Sequence, residues 1–387
     1  MLNKLKANQL LKNLNHLDKG YLSITTPDGK THTFQGSEAG VSASIILKDW
    51  RVPANMALKG DVGLAEDYRD GLWDTDDLES LFTIGIQNQD SLNQYLFGSK
   101  IYQAWEKISY LFKQNSKKGS KKNIHAHYDL GNSFYKLWLD TTMTYSSGIY
   151  KSNDETLEQA QHNKYDRILD CFKMNTTPIL EIGCGWGGFA QRAIDTTKHK
   201  VTGITVSREQ FDFAKERLGE KAEIKFQDYR DHEGLYDNIV SIEMFEAVGE
   251  KYWATYFDKI KKLLTTNGKA VIQTITMNES DFKKYQHSTD FIRSFIFPGG
   301  MLPSTAAFIE AANHAGLKVI NTHEFGLDYA RTLRQWLINF DANLERIKNL
   351  GFDDNFVRLW RFYLAGCAAG FETGHTNVVQ FELIKNS

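Results

Sequence analysis

A chain of 387 residues is long enough for two separate cores, and 41% hydrophobic with 24% charged residues is the composition of a folded globular protein. A formal net charge of -2 supplies no global field for nucleic acid, so any attraction to an anionic surface has to be local. Three scattered cysteines, Cys171, Cys184 and Cys367, exclude a disulfide framework and a structural zinc site and fit a reducing cytoplasm.

The first residues, MLNKLKANQLLKNLNHL, interrupt their leucines with Lys and Asn, unlike the continuous apolar core of a signal peptide. No apolar run elsewhere approaches the ~18 residues that span a bilayer, so the expectation is a protein neither exported nor membrane-spanning. The leucines spread broadly around a helix, which points to packing on the protein's own core. YLSITTPDGKTHTF then predicts a hairpin turning at Asp28-Gly29, VSASIIL a further strand, and LESLFTIGI a helix. Residues 1–112 therefore read as a small α+β domain. KQNSKKGSKK, residues 113–122, carries five lysines, no acid and no large apolar side chain. It reads as a flexible linker, either simply solvated or touching anionic lipid headgroups at about 1 kcal/mol per lysine.

Residues 123–387 change pattern. Short strands apolar on both faces, PILEIG, HKVTGITV, AEIKF, YDNIVSI and KAVIQTI, alternate with helix-length segments. That alternation predicts an α/β, Rossmann-like domain with a mostly parallel sheet covered on both sides, and a ligand beyond the carboxyl ends of the strands. VVQFELIK adds a late strand at or near the sheet edge.

LEIGCGWGGFA, residues 180–190, places four glycines in six positions, so a ligand can lie against bare backbone. The loop lacks the Gly-Lys-Ser/Thr of a nucleoside-triphosphate site. A dinucleotide fold would end its second strand with an acid, where GITVSREQ has Thr205 and Ser207. Glu181-x-Gly183-x-Gly185-x-Gly187 instead resembles the first motif of class I S-adenosylmethionine-dependent methyltransferases. In that reading Glu181 acts on the ammonium side of the cofactor, Thr205 and Gln210 stand near its ribose, and Asp228 and Tyr229 of QDYRD offer adenine an acceptor and a flat face.

Taken together, HYDLGNSFYKLWLD, MTYSS, LEIGCGWGGFA, VTGITVS, QDYRD, MFEAVG, FIFPGGMLPS and DYARTL resemble the cyclopropane-fatty-acyl-phospholipid synthase family, and LKGDVGLAEDYRDGLWDTDDL is similar to its N-terminal domain. The resemblance implies methyl transfer from S-adenosylmethionine to a cis double bond in a phospholipid acyl chain, followed by loss of one proton as a cyclopropane ring closes. In the family a bound bicarbonate takes that proton, held by a glutamate, a tyrosine, a histidine and backbone near a cysteine. Carried over, the glutamate is Glu246 and the tyrosine Tyr329. Ser147 stands at the cysteine position and Gln273 at the histidine position, and an amide cannot carry a charge or accept a proton near neutral pH. Tyr145 and Ser146 resemble lid contacts to the cofactor.

Cys367 matches a cysteine marked in the family as an active-site residue, although this chemistry needs no thiolate and a cysteine between alanines on an apolar helix is usually inert. FIFPGGMLPS reads as a core helix end or as the apolar lip of an acyl-chain entrance, the latter favoured. His125 and His127 have no third ligand nearby, so no metal is expected. The expected partner is unsaturated phospholipid, met by a cytoplasmic protein peripheral at the inner membrane surface. A homodimer is left open, as are a methyl-branched or methylene product without a ring and a lipid-binding protein without chemistry.

Overall fold

The structure is a computed structural model and describes residues 2–90, 92, 130–172 and 177–386. The chain forms two compact units. The 113–122 segment, His125 and His127 lie outside the described residues.

The first unit comprises Met1–Phe112, Lys283–Pro298 and Asp341–His375. Its sheet has the order β2-β1-β3-β4, built from β1 (Lys19–Thr25), β2 (Thr31–Gln35), β3 (Glu38–Leu47) and β4 (Trp73–Asp74). The predicted hairpin forms, with β1 and β2 antiparallel and Gly29 at φ +79° in the turn, a conformation that costs glycine nothing. β3 then runs parallel to β1. The unit's core is aromatic: Phe362, on the helix Asp354–Glu372, meets Phe82 and Phe291 edge-on, each at 4.7 Å between ring centres. Arg358 of the same helix donates from Nη2 to the Trp73 carbonyl at 2.8 Å and to Asp74 Oδ1 at 2.7 Å. The apolar face of this late helix thus completes the first unit's core, and the division does not follow the single cut that the sequence suggests. Ile296 of the FIFPGG stretch and Phe291 shortly before it are buried, Phe291 in this aromatic cluster, so these two act as core rather than as an exposed lip.

The second unit comprises Lys113–Phe282, Gly299–Phe340 and Thr376–Ser387. Its strands are β5 (Ile179–Ile182), β6 (Val201–Thr205), β7 (Glu223–Phe226), β8 (Tyr236–Ile242), β9 (Leu264–Met277), β10 (Leu317–Glu324) and β11 (Thr376–Lys385). They form one sheet in the order β10-β11-β9-β8-β5-β6-β7. β9 through β7 in that order pair in parallel, while β11 is antiparallel to both of its neighbours. VVQFELIK therefore lies one position in from the edge, which β10 occupies. Helices Leu157–Asp170 and Gly188–Thr196 cover one face, where Tyr165, Ile168 and Phe189 pack with Ile179, Val201, Val240 and Val271. The order reverses between β5 and β8, and a ligand crevice opens beyond the carboxyl ends of strands at such a reversal. Glu181 near the end of β5 and Glu243 directly after β8 stand on its two sides.

Candidate active site

At the end of β5 the chain turns into the helix Gly188–Thr196 through the glycine loop. Gly183 sits at φ +80°, and a Cβ there would stand 2.8 Å from Met244 Cγ. Gly185, at φ +51°, has open space where its Cβ would project. Neither position tolerates a side chain without strain. The loop borders a cavity whose wall also includes Tyr145, Ser146, Glu181, Thr205, Gln210, Asp228 and Tyr229. Of the cofactor residues expected from sequence, Gly187 alone is not in that wall; it is left-handed at the helix N-cap, where a Cβ would meet Leu218 Cδ1 at 3.0 Å.

Charge and hydrogen bonding give each wall residue a character. Glu181 is buried, its Oε2 has no hydrogen-bond partner, and burial pushes its carboxyl well above the ordinary range, against the opposing charges of Lys164 and Arg217. A buried carboxylate with a free oxygen suits an ammonium group. Thr205 Oγ1 donates to Gln210 Oε1 at 3.0 Å, which leaves the Gln210 amide nitrogen oriented by its partner. Asp228 accepts from Arg230 Nε at 2.8 Å and Nη2 at 2.6 Å, with side chains only 6% and 11% exposed, a partner the sequence reading did not assign. Tyr229 meets Tyr256 edge-on at 5.5 Å, and burial raises its phenol to about 12, so it presents a neutral ring.

Three of the four residues expected around an anion do converge, and they converge on Glu243. The Ser147 amide donates to Glu243 Oε1 at 2.9 Å, Gln273 Nε2 donates to the same oxygen at 2.7 Å, and the Tyr329 hydroxyl donates to Oε2 at 2.6 Å. The Ser147 hydroxyl turns away to the Gly148 carbonyl at 2.9 Å, so its backbone is what serves the cluster. Gln273 is itself oriented, because its Oε1 accepts from Gln380 Nε2 at 3.0 Å and Gln380 Oε1 accepts from Arg167 Nη1 at 2.6 Å. Glu243 borders the cavity, whereas Ser147, Gln273, Tyr329 and Glu246 are not in its wall. The Glu246 carboxylate instead accepts from the Ile275 amide at 2.6 Å, and burial beside Glu243 pushes it up to about 8.

MFEAVG draws attention to Glu246 rather than to Glu243, the acid just before it. The signal available was position: an acid as the first residue beyond a parallel strand. Its backbone is left-handed at φ +49°, uncommon without glycine and of the order of 1–3 kcal/mol in cost. Burial raises its carboxyl above the ordinary value, with Tyr329, Lys164, Ser147 and Gln273 opposing that rise.

Cys367 belongs to the first unit and is not in the cavity wall. Burial and the Asp290 charge push its thiol up to about 12, which leaves it protonated and unreactive. Among the described residues no group of three or more His, Cys, Asp or Glu could hold a metal ion.

The sequence profile described as mycolic acid cyclopropane synthetase matches residues 115–381. The chain belongs to the cyclopropane synthase family. Its relatives include the cyclopropane-fatty-acyl-phospholipid synthase of Escherichia coli, 35% identical over 90% of this chain and 92% of that one. They also include a tuberculostearic acid methyltransferase of Mycobacterium tuberculosis, 35% identical over 84% of this chain and 79% of that one. Among solved structures, a cyclopropane synthase from Mycobacterium tuberculosis covers 68% of this chain and 98% of its own at 30% identity and TM-score 0.64. A mycolic acid cyclopropane synthase complexed with SAH and CTAB matches with the same values. Membership makes this cyclopropane synthase homologue an S-adenosylmethionine-dependent methyltransferase with a class I catalytic fold. None of its helices, among the described residues, is long and apolar enough to cross a membrane.

Proposed function

We propose that this enzyme methylates the cis double bond of an unsaturated fatty acyl chain in a phospholipid, with Glu243 taking the proton that the reaction releases. The observation that carries this reading is the Glu243 carboxylate itself, bordering the cofactor cavity and held by three donors. Those donors are the ones the family resemblance assigns to a bound bicarbonate. Here a side-chain carboxylate meets them, so the chain carries its own proton acceptor.

S-adenosylmethionine, when bound, supplies an electrophilic methyl group. Glu181 would take its ammonium, Gly183 and Gly185 leave room along the backbone, Thr205 and Gln210 serve the ribose, and Asp228 and Tyr229 the adenine. An alkene is a poor nucleophile, so the protein has to align the acyl chain and exclude water. The alkene π pair would form the new bond to the methyl carbon as the carbon–sulfur bond breaks and its electron pair leaves with the donor's sulfur as a neutral thioether, so that the cation is left on the acyl chain. A neighbouring C–H then gives its proton to Glu243, and its electron pair quenches the cation. When that proton comes from the delivered carbon, a cyclopropane ring closes, and this is the first reading.

A second reading is favoured by the two departures that meet at Glu243, a tethered carboxylate and Gln273 at the histidine position. Loss of a proton from the chain instead leaves a methyl branch with a surviving double bond, and a 1,2-hydride shift followed by loss from the delivered carbon leaves a methylene. In either case the substrate is reached from the water side, by a cytoplasmic protein peripheral at the inner membrane surface.

Incubation with vesicles of unsaturated phospholipid and methyl-labelled donor tests the reaction, with label expected in the lipid fraction. Unlabelled lipid, from folded protein shown by calorimetry to bind the donor, would refute it. Hydrogenation of the product before mass spectrometry separates a ring from a surviving double bond.

A further inference from the structure

Lys164 is absent from the chemistry above, yet it is a fully buried amine beside the cavity wall. It lies on the helix Leu157–Asp170 with a side chain 0% exposed, and burying an ammonium is unfavourable unless its bonds are satisfied. Nζ donates to Ser146 Oγ and to Gln161 Oε1, each at 2.6 Å, and stands 4.5 Å from the centre of the Tyr165 ring. Gln161 Nε2 donates in turn to the Ser146 carbonyl at 2.8 Å. Ser146 is therefore gripped at its hydroxyl and at its carbonyl. The next residue, Ser147, supplies the amide that bonds Glu243.

The electrostatic surroundings point the same way. Lys164 interacts with the charges of Glu243, Asp140 and Glu181. Glu243 is faced by Lys164 and the Tyr329 hydroxyl, with Glu246 as its acidic neighbour, and Arg217 acts on Glu181.

We infer that Lys164 is a positioning residue for the proton acceptor: it fixes the Ser146–Ser147 segment against Glu243 and supplies the positive charge that favours the ionised carboxylate. This rests on the reading of Glu243 as the base. Its sign is definite. Burial raises the Glu243 pKa and the Lys164 charge lowers it, so removing that charge raises it further, and activity that needs the carboxylate is lost at a higher pH. Burial also holds the Lys164 pKa below its ordinary value, so the benefit fades as the lysine loses its proton and the difference between the proteins narrows at alkaline pH.

The test is the pH dependence of kcat for wild type, Lys164→Met, Gln161→Leu and Glu243→Gln, with SAH affinity measured on each to verify the fold. Lys164→Met is expected to move the acid limb up by about one pH unit, so that activity below the limb falls about tenfold. SAH affinity is expected to fall as well but to remain measurable, since Lys164 also favours the ionised form of Glu181 and holds Ser146 of the cavity wall, and kcat is therefore read at saturating donor. Gln161→Leu, which removes one acceptor of the ammonium, should give a weaker shift in the same direction and serves if Lys164→Met does not fold. A uniform loss at all pH values, or a limb superimposed on wild type in a folded variant, overturns the inference. If Glu243→Gln retains turnover, the base reading fails instead. If Glu243→Gln is inactive and the Lys164→Met limb has not moved, only the role of Lys164 falls.

Discussion

Two glutamates stand on either side of the point where the strand order reverses, Glu181 buried and Glu243 half-buried, both raised in pKa by desolvation, and otherwise opposite. Glu181 keeps one oxygen without a partner. Glu243 has three donors on its carboxylate and a strained backbone beneath it. An acid with a vacant lone pair is prepared for a cation that arrives from outside, whereas one already fixed in place is prepared to receive a proton at a defined point. The contrast separates affinity from turnover, and each can be broken alone.

The largest effect is expected for Glu243→Gln. The amide keeps the size and cannot accept the proton, so label transfer to lipid should fall by about 10²–10⁴-fold, the range of a lost general base, while calorimetric affinity for SAH stays near wild type. A parallel loss of affinity would show that the two acids are not separable. Glu181→Gln should do the reverse. Exchanging a buried charged hydrogen bond for a neutral one costs about 1.5–3 kcal/mol, or about 10–150-fold in donor affinity, with turnover at saturating donor much less affected.

Tyr329→Phe sharpens the comparison through pH. The hydroxyl lowers the Glu243 pKa, so its removal raises it, and the acid limb of kcat should move to higher pH by roughly one unit, close to the net worth of a hydrogen bond to a charged group. A limb that stays in place would detach Tyr329 from the carboxylate's function. The smallest effect is Cys367→Ser, expected to leave turnover within about twofold because the thiol stays protonated; a large loss with the fold intact would return it to the chemistry.

Much of this arrangement could be read in the chain. The parallel strands announced themselves as runs apolar on both faces, and the hairpin by Asp28-Gly29, since both signals are local. β10 did not, because LKVINTHE has only Leu317 fully buried and occupies a half-exposed edge. The glycine loop and most of the cavity wall followed from the order of short motifs. Asp228 was legible, but its pairing with Arg230 two residues on was not, because spacing alone does not reveal a bidentate contact. Lys164 was hidden for a different reason. It falls with Gln161 on the helix stripe that buries Leu157, Ala160, Tyr165 and Ile168, and a polar residue at an apolar period is a sign worth reading as a buried network.

β11 lends the last point. Gln380 lies opposite Gln273 in the antiparallel register and turns its amide so that the nitrogen meets Glu243. The strand that performs this adjustment lies far along the chain from the glycine loop. A chain cut short just before Thr376 would lack this brace however sound its remaining strands.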